Sequence, residues 1–274
     1  MTVKQLLALG FVVTAQPALA ICGAEEGVCT TLMGEYHIEL PEAENPPLVV
    51  FLHGYGGNGA GTMRNRGMVD PLLDRGYAVM APEGLARPDR GGTQSWNFYP
   101  GFGDRDETAF LTEVVKDAAD RFGIDEERAI LGGFSAGGFM VNYLACAAPD
   151  TFSAYVPVSG GFWRPHPEAC EGPVMLFHTH GWTDNVVPLE GRLLGGGRYH
   201  QGDIFAGLEI WREANGCRDT KPTGFSTTGE FMRRNWTNCA KGSALEFALF
   251  PGGHGVPAGW ADMMVDWYEG LPGS

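Results

Sequence analysis

The sequence predicts an α/β domain, a mostly parallel central sheet with helices on both faces. Three observations carry that prediction. Short apolar runs such as 48–52, 77–81 and 154–158 have strand length and lack the in-out alternation of a half-exposed sheet. Such runs mark strands buried on both faces. Longer segments with helical apolar spacing lie between them, and the two kinds alternate along the chain.

Taken in order, residues 34–40 alternate and are expected as an edge strand. Residues 48–52 form a buried strand that runs into a Gly-rich stretch, 53–61. A second buried strand, 77–81, is stopped by Pro82. Residues 107–122 place Phe110, Val114, Val115 and Ala118 on one helical face, and Gly123 ends the helix. Residues 129–134 form a strand leading into Ser135, and a helix follows to about Ala148, closed by Pro149. Further strands are expected at 154–158 and 174–177. A helix at 201–215 is ended by Gly216. A last strand, 245–250, and a last helix, 258–268, complete the domain. The sequence contains no internal repeat and no low-complexity linker, and it stops soon after the last helix. The expected organisation is a leader, 1–20, and one catalytic domain, 21–274, without an appended binding module or a large lid domain.

The chain's 274 residues suffice for one domain with a large core. Its formal charge of −14 makes nucleic acid and anionic membrane surfaces poor partners. Lys4, the apolar run 6–13 and the small-x-small sequence Ala18-Leu19-Ala20 read as a secretory signal with its cleavage site. The apolar run is too short to span a bilayer. The protein is therefore expected to be secreted or periplasmic, without membrane insertion. Its oligomeric state is open, with a monomer as the expectation.

All six cysteines follow the cleavage point, and an even count in an exported chain argues for three disulfides. Six cysteines allow fifteen connectivities. Spacing favours the sequential one, Cys22 with Cys29, Cys146 with Cys170 and Cys217 with Cys239. None shows the CxxC spacing of a zinc site. Neither a metal nor an organic cofactor is expected.

The sharpest chemical signal is Gly133-Phe134-Ser135-Ala136-Gly137, which fits G-x-S-x-G. A turn that tight between strand and helix strains the serine backbone and tolerates only small residues two positions away. It lifts the Ser135 hydroxyl above the sheet at a helix N-terminus, where free N–H groups can stabilise an oxyanion. A serine hydroxyl needs a base, and the base needs an orienting acid. Asp184 follows the strand at 174–177, and His254 follows the last strand in a loop of small residues, giving the order Ser, acid, His. Glu190 and Asp203 are rivals for the acid. The second oxyanion donor is expected after the 48–52 strand. The backbone N–H of Tyr55 is paired with that of Ala136, and Gly56 is the alternative. His53 is expected to hydrogen-bond within that loop.

Other features have competing readings. Residues 54–59 also satisfy G-x-G-x-x-G, with Glu83 as a candidate ribose acid, which would make a dinucleotide-binding protein. That reading leaves Ser135, Asp184 and His254 unexplained. His178 and His180 have metal-like spacing but are expected as a buried hydrogen-bonded pair. Trp96, Trp163 and Trp182 fall in or beside predicted loops. Trp96 and Trp182 are taken as candidate substrate platforms, with packing as the competing role. Asn235-Trp236-Thr237 fits the glycosylation sequon.

The chain resembles the exported polyhydroxybutyrate depolymerase and feruloyl esterase family of α/β-hydrolases. The likeness rests on Cys22 to Cys29 before Gly34-Glu35-Tyr36, on Leu52-His53-Gly54 and on Gln94-Ser95-Trp96-Asn97. It continues through residues 133–138, His180-Gly181 to Asp184 with Val187-Pro188 after it, and Gly253-His254. The resemblance implies an α/β-hydrolase fold and a serine carboxylic-ester hydrolase with Ser135, Asp184 and His254 as its triad. It also implies the Cys146–Cys170 and Cys217–Cys239 pairings. Its substrates would be hydroxyalkanoate oligoesters, feruloyl or other aromatic esters, or an aromatic polyester such as poly(ethylene terephthalate). A peptidase or amidase on the same triad is the chemical alternative. Trp182 stands where the family more often has a small residue, which is expected to reshape the acyl pocket.

Overall fold

The computed structural model describes residues 22, 27–87 and 90–272. The expected leader, 1–20, lies outside the described residues. The first strands are β1 (Cys29–Thr30), β2 (Glu35–Glu39) and β3 (Pro47–Leu52), followed by α1 (Gly59–Met63) and α2 (Arg66–Asp74). Next come β4 (Ala78–Pro82), β5 (Leu85–Arg87), β6 (Thr93–Ser95) and α3 (Glu107–Phe122). The centre of the chain gives β7 (Asp125–Phe134), α4 (Ala136–Ala147), β8 (Ala154–Val158) and β9 (Met175–Gly181). Then follow β10 (Arg192–Leu194), β11 (Tyr199–Gln201), α5 (Ile204–Ala214), β12 (Gly224–Thr228), β13 (Phe231–Trp236), β14 (Ala244–Phe250) and α6 (Trp260–Glu269).

Ten strands form one sheet in the order β1-β2-β4-β3-β7-β8-β9-β14-β13-β12. The six central strands, β4 to β14 in that order, pair in parallel. The outer pairs on both sides are antiparallel. Alternation along the buried strands divides the core into two layers. Leu48, Val50 and Leu52 of β3 join one cluster, and Val49 and Phe51 join the other. The first layer packs under α3, α4 and α5, through side chains such as Phe110, Leu144 and Trp211. The second packs under α2 and α6, through Val69, Leu72, Trp260 and Met264. Each large side chain so buried contributes roughly 1.5–3 kcal/mol.

Local signals explain the best-delimited helix. Asp106 caps α3 by accepting from the Ala109 N–H at 3.0 Å, and Gly123 ends it in the left-handed conformation. Three differences from the sequence reading stand out. β2 lies one strand in from the edge, because β1 pairs outside it. The second buried strand does end at Pro82, but Pro82 is itself the last residue of β4, opposite Tyr36, and not the residue after it. The polar stretch between Cys217 and Cys239 folds into the β12–β13 hairpin, which extends the sheet past β14. The disulfides Cys22–Cys29, Cys146–Cys170 and Cys217–Cys239 pair sequentially, as the spacing suggested.

Candidate active site

Ser135 sits between β7 and α4 with φ 56° and ψ −114°, a strained conformation for a residue with a side chain. The turn survives because its neighbours are small. A Cβ on Gly137 would press into the backbone carbonyl of Leu52 in the adjacent strand. Ser135 Oγ lies 2.9 Å from His254 Nε2, and His254 Nδ1 lies 2.7 Å from Asp184 Oδ2. Asp184 is buried, and its other oxygen accepts from Val186 N–H at 2.9 Å and Val187 N–H at 2.8 Å. Burial pushes the Asp184 carboxyl up. The His254 bond and the Val187 and Val186 N–H groups outweigh burial and hold it below the usual Asp range. An ionised carboxylate only accepts, so His254 Nδ1 carries the proton and Nε2 is free to accept from the Ser135 hydroxyl.

The loops that carry Asp184 and His254 are bonded to each other. Trp182 N–H donates to Phe250 O at 2.8 Å, and Thr183 N–H to Gly252 O at 3.0 Å. Gly181 permits that approach, since a Cβ there would meet Gly252 O at 2.6 Å. The two rivals for the acid are occupied elsewhere. Asp203 caps α5 through the Ala206 N–H, and Glu190 is exposed. His178 and His180 form the expected buried pair, 3.1 Å apart, with His180 Nε2 donating to Val187 O at 2.8 Å. Burial pushes both imidazoles down, so they stay neutral. They brace the Asp184 loop, because Val187 bonds His180 through its carbonyl and Asp184 through its N–H.

The candidate oxyanion donors are supported from below as well. Ala136 opens α4, where the first N–H groups lack an intrahelical acceptor. On the other loop, Gly56 N–H donates to Gln94 O at 2.9 Å, which removes the alternative donor and leaves Tyr55, a cavity-lining residue like Ser135, as the candidate. Gly84 N–H donates to His53 Nε2 at 3.0 Å, so Nδ1 carries the proton and donates to Gly54 O at 2.8 Å. Burial pushes this imidazole down as well. Trp96 is fully buried and its Nε1 donates to His53 O at 2.8 Å. The segment Gln94-Ser95-Trp96 is thus the template on which the loop lies. The Rossmann reading loses its acid, since Glu83 already accepts from Gly59 N–H at 2.9 Å and bonds His37 at 3.2 Å.

A model of the α/β-hydrolase fold family matches residues 47–192. The chain belongs to that family. Feruloyl esterase C of Emericella nidulans is 28% identical over 242 residues, covering 82% of this chain and 78% of that protein. A bifunctional acetylxylan esterase/xylanase of Neocallimastix patriciarum is 27% identical over 155 residues, 56% of this chain and 22% of that protein. Among solved structures, acetyl xylan esterase from Aspergillus awamori superposes with a TM-score of 0.61 at 15% identity, over 86% of this chain and 93% of its own. A Bacillus cereus carboxylesterase gives 0.55 at 15% identity, over 87% and 94%. The chain is an esterase of the α/β-hydrolase type.

In this α/β-hydrolase a cavity of about 280 Å³ opens in front of Ser135, at the C-terminal edge of the parallel strands. A larger depression of about 400 Å³ lies at the opposite edge, around Glu126, Asp150 and Pro173, away from Ser135. The β5–β6 and β10–β11 ribbons supply part of the cavity wall. Tyr55, Phe98, Phe102, Phe139 and Trp163 add aromatic walls. Trp163 lies 5.3 Å from Phe98, 5.4 Å from Phe102 and 5.3 Å from Tyr199, ring centre to ring centre. One sequence expectation is corrected here. Trp96 is no platform, because it is sealed beneath the loop that carries His53 and Tyr55. Trp182 is 59% exposed, two residues before Asp184, and is not among the residues that line this cavity. Trp163, considered with them but not chosen, is the loop tryptophan that does line it. The sequence held one usable sign, a tryptophan soon after the strand that follows the elbow helix.

Proposed function

We propose that this esterase is a serine carboxylic-ester hydrolase working by two-step acyl transfer, with Ser135, His254 and Asp184 as its triad. The observation that carries the reading is the continuous chain from Ser135 Oγ to His254 (2.9 Å) and on to Asp184 (2.7 Å). Ser135 attacks the ester carbonyl while His254 Nε2 takes its proton. The Tyr55 and Ala136 N–H groups hold the oxyanion. His254 returns the proton to the leaving alcohol, and water repeats the path to free the acid and Ser135. Asp184 keeps Nδ1 protonated and stabilises the imidazolium.

The aromatic cavity supports ring-bearing esters of modest size, the class to which the feruloyl esterase relatives point by name. A hydroxyalkanoate oligomer offers no ring to these walls. Three disulfides support an exported protein. The test is turnover of 4-nitrophenyl butyrate and of methyl esters of aromatic acids by the parent and by Ser135→Ala. Loss on the order of 10⁶-fold is expected. Activity of the variant within tenfold of the parent overturns the assignment.

A further inference from the structure

Two depressions meet at Tyr55, which lines both. One is the aromatic cavity in front of Ser135. The other, of about 280 Å³, lies between the β3–α1 loop and the loop that follows His254. Phe51 and Met68 are buried and form its floor, with Phe134 and Val256 beside them. Asn58 and Asn65 are exposed at its rim, and Thr62 stands between them in the chain. These polar groups have bonding capacity to spare. Asn58 Oδ1 accepts from the Gly61 N–H at 2.6 Å, which leaves its NH2 to donate elsewhere. Asn65 opens α2 without a side-chain bond to the helix. The Thr62 hydroxyl donates to Asn58 O at 3.3 Å and keeps its lone pairs. Among the described residues no Asp, Glu, Lys or Arg borders this depression. His53, the one imidazole there, is pushed down by burial and stays neutral. A second hollow of about 200 Å³ continues it past Val256 to Trp260, with Asn65 and Met68 bordering both. Together they reach the size of small-molecule sites, roughly 300–1,000 Å³.

Ester chemistry decides which half of a substrate each depression suits. The imidazole that returns the proton must reach the leaving oxygen, so the alcohol departs on the His254 side. The uncharged depression is bordered from that side. The Phe134 ring centre lies 4.6 Å from that of His254, and Val256 follows His254 by two residues. The aromatic cavity is bordered by Ser135 and Ala136, where the acyl group stays. A very small alcohol would leave the amides to water, and a wholly apolar one would cover them without a partner. We propose that the depression beside His254 is the alcohol-side subsite and takes a neutral, hydroxyl-rich ring alcohol of the sugar type. The ring's C–H face lies on Met68 and Val256, and its hydroxyls bond Asn58, Thr62 and Asn65. Tyr55 divides this subsite from the acyl cavity. This rests on the assignment of Ser135 as nucleophile and His254 as its base. A subsite that holds the leaving alcohol also holds an incoming one. The acyl carbon–Oγ bond then breaks, the acyl carbon bonds the acceptor oxygen, and the acceptor's proton passes through His254 Nε2 to Ser135 Oγ. Acyl transfer to such alcohols therefore accompanies hydrolysis.

The experiment compares kcat/KM for methyl 6-O-benzoyl-β-D-glucopyranoside and for cyclohexylmethyl benzoate, which share the acyl group and the ring size and differ in hydroxyls. Each value is divided by that ester's rate in alkaline water, which removes the difference in leaving-group acidity. The parent should favour the hydroxylated ester by about tenfold or more, the scale of two neutral hydrogen bonds. That preference should fall about threefold in Asn65→Ala, chiefly through KM. Acyl transfer by the parent is the arm that needs no variant. With 4-nitrophenyl acetate as donor, methyl β-D-glucopyranoside should take about tenfold more acetyl than cyclohexylmethanol at equal concentration. That exceeds the roughly fourfold that its hydroxyl count alone would give. Equal corrected kcat/KM for the two esters, an unchanged preference in a folded Asn65→Ala, or no excess transfer to the glucoside overturns the proposal. If the parent cleaves 4-nitrophenyl acetate and Ser135→Ala does not, such a result removes the subsite and leaves the esterase assignment standing. If Ser135→Ala cleaves it as the parent does, the assignment of Ser135 falls and the subsite with it.

Discussion

Replacing Asp184 with Asn changes one atom and tests how the acid works. Asp184 Oδ1 faces two N–H donors, from Val186 and Val187, and Oδ2 faces His254 Nδ1 at 2.7 Å. An Asn that keeps its carbonyl toward the two donors must turn its NH2 toward Nδ1. An NH2 only donates, so the imidazole proton moves to Nε2, which then points a hydrogen at Ser135 Oγ and cannot take one. A locked wrong tautomer costs on the order of 10⁴ in kcat, about 5.5 kcal/mol. The flipped amide restores the right tautomer but sets NH2 against two buried N–H groups, at about 1–3 kcal/mol for each. The variant should therefore lose between about 10² and 10⁴ in kcat on 4-nitrophenyl butyrate. It should keep its far-ultraviolet circular dichroism. A folded Asn variant within tenfold of the parent would refute the argument.

Other outcomes follow from the same structure. Because the Asp184 carboxyl is held below its ordinary value, it stabilises the fold fully above pH ~4, and that contribution disappears as pH falls through the lowered value. The difference in melting temperature between parent and Asp184→Asn should be steady above about pH 5 and shrink in acid. A difference that grows in acid would contradict the sign. Gly137→Ala drives a Cβ into the Leu52 carbonyl and should cost about 1–3 kcal/mol or more in urea unfolding. A neutral result there would count against the tightness of the turn. Trp163→Ala should lower kcat/KM for aryl esters more than for acetate esters, whereas Trp96→Phe, which removes the bond to His53, should affect both alike. Replacing Cys217 and Cys239 by Ser should cost about 2–4 kcal/mol, measured by denaturant unfolding.

The proposed triad was legible because its signals are local. The elbow at Ser135 is written in five consecutive residues. Asp184 and His254 each follow an apolar strand, and chain order then selects them. The buried strands were legible for the same reason, and β8 and α3 have the bounds that the apolar pattern gave. The cavity walls were not legible. β5, β6, β10 and β11 are three residues each, too short for an apolar period to mark them. α2 was missed because Pro71 stands inside it and three side chains, Met68, Val69 and Leu72, form its buried face. Trp96 looked like a loop aromatic. Its burial depends on a bond to the carbonyl of His53, 43 residues earlier in the chain, which no local pattern reveals.

The central claim is that Ser135 is an activated nucleophile, and covalent labelling tests it most directly. A fluorophosphonate reacts with a serine that has a base at hand and an oxyanion hole to receive the phosphoryl oxygen. The account predicts one adduct per chain, mapped by mass spectrometry to the peptide containing Ser135, with esterase activity lost in proportion to labelling. It also predicts no adduct in His254→Ala on the same timescale. Full activity with no adduct, or an inactivating adduct on another residue, would contradict it.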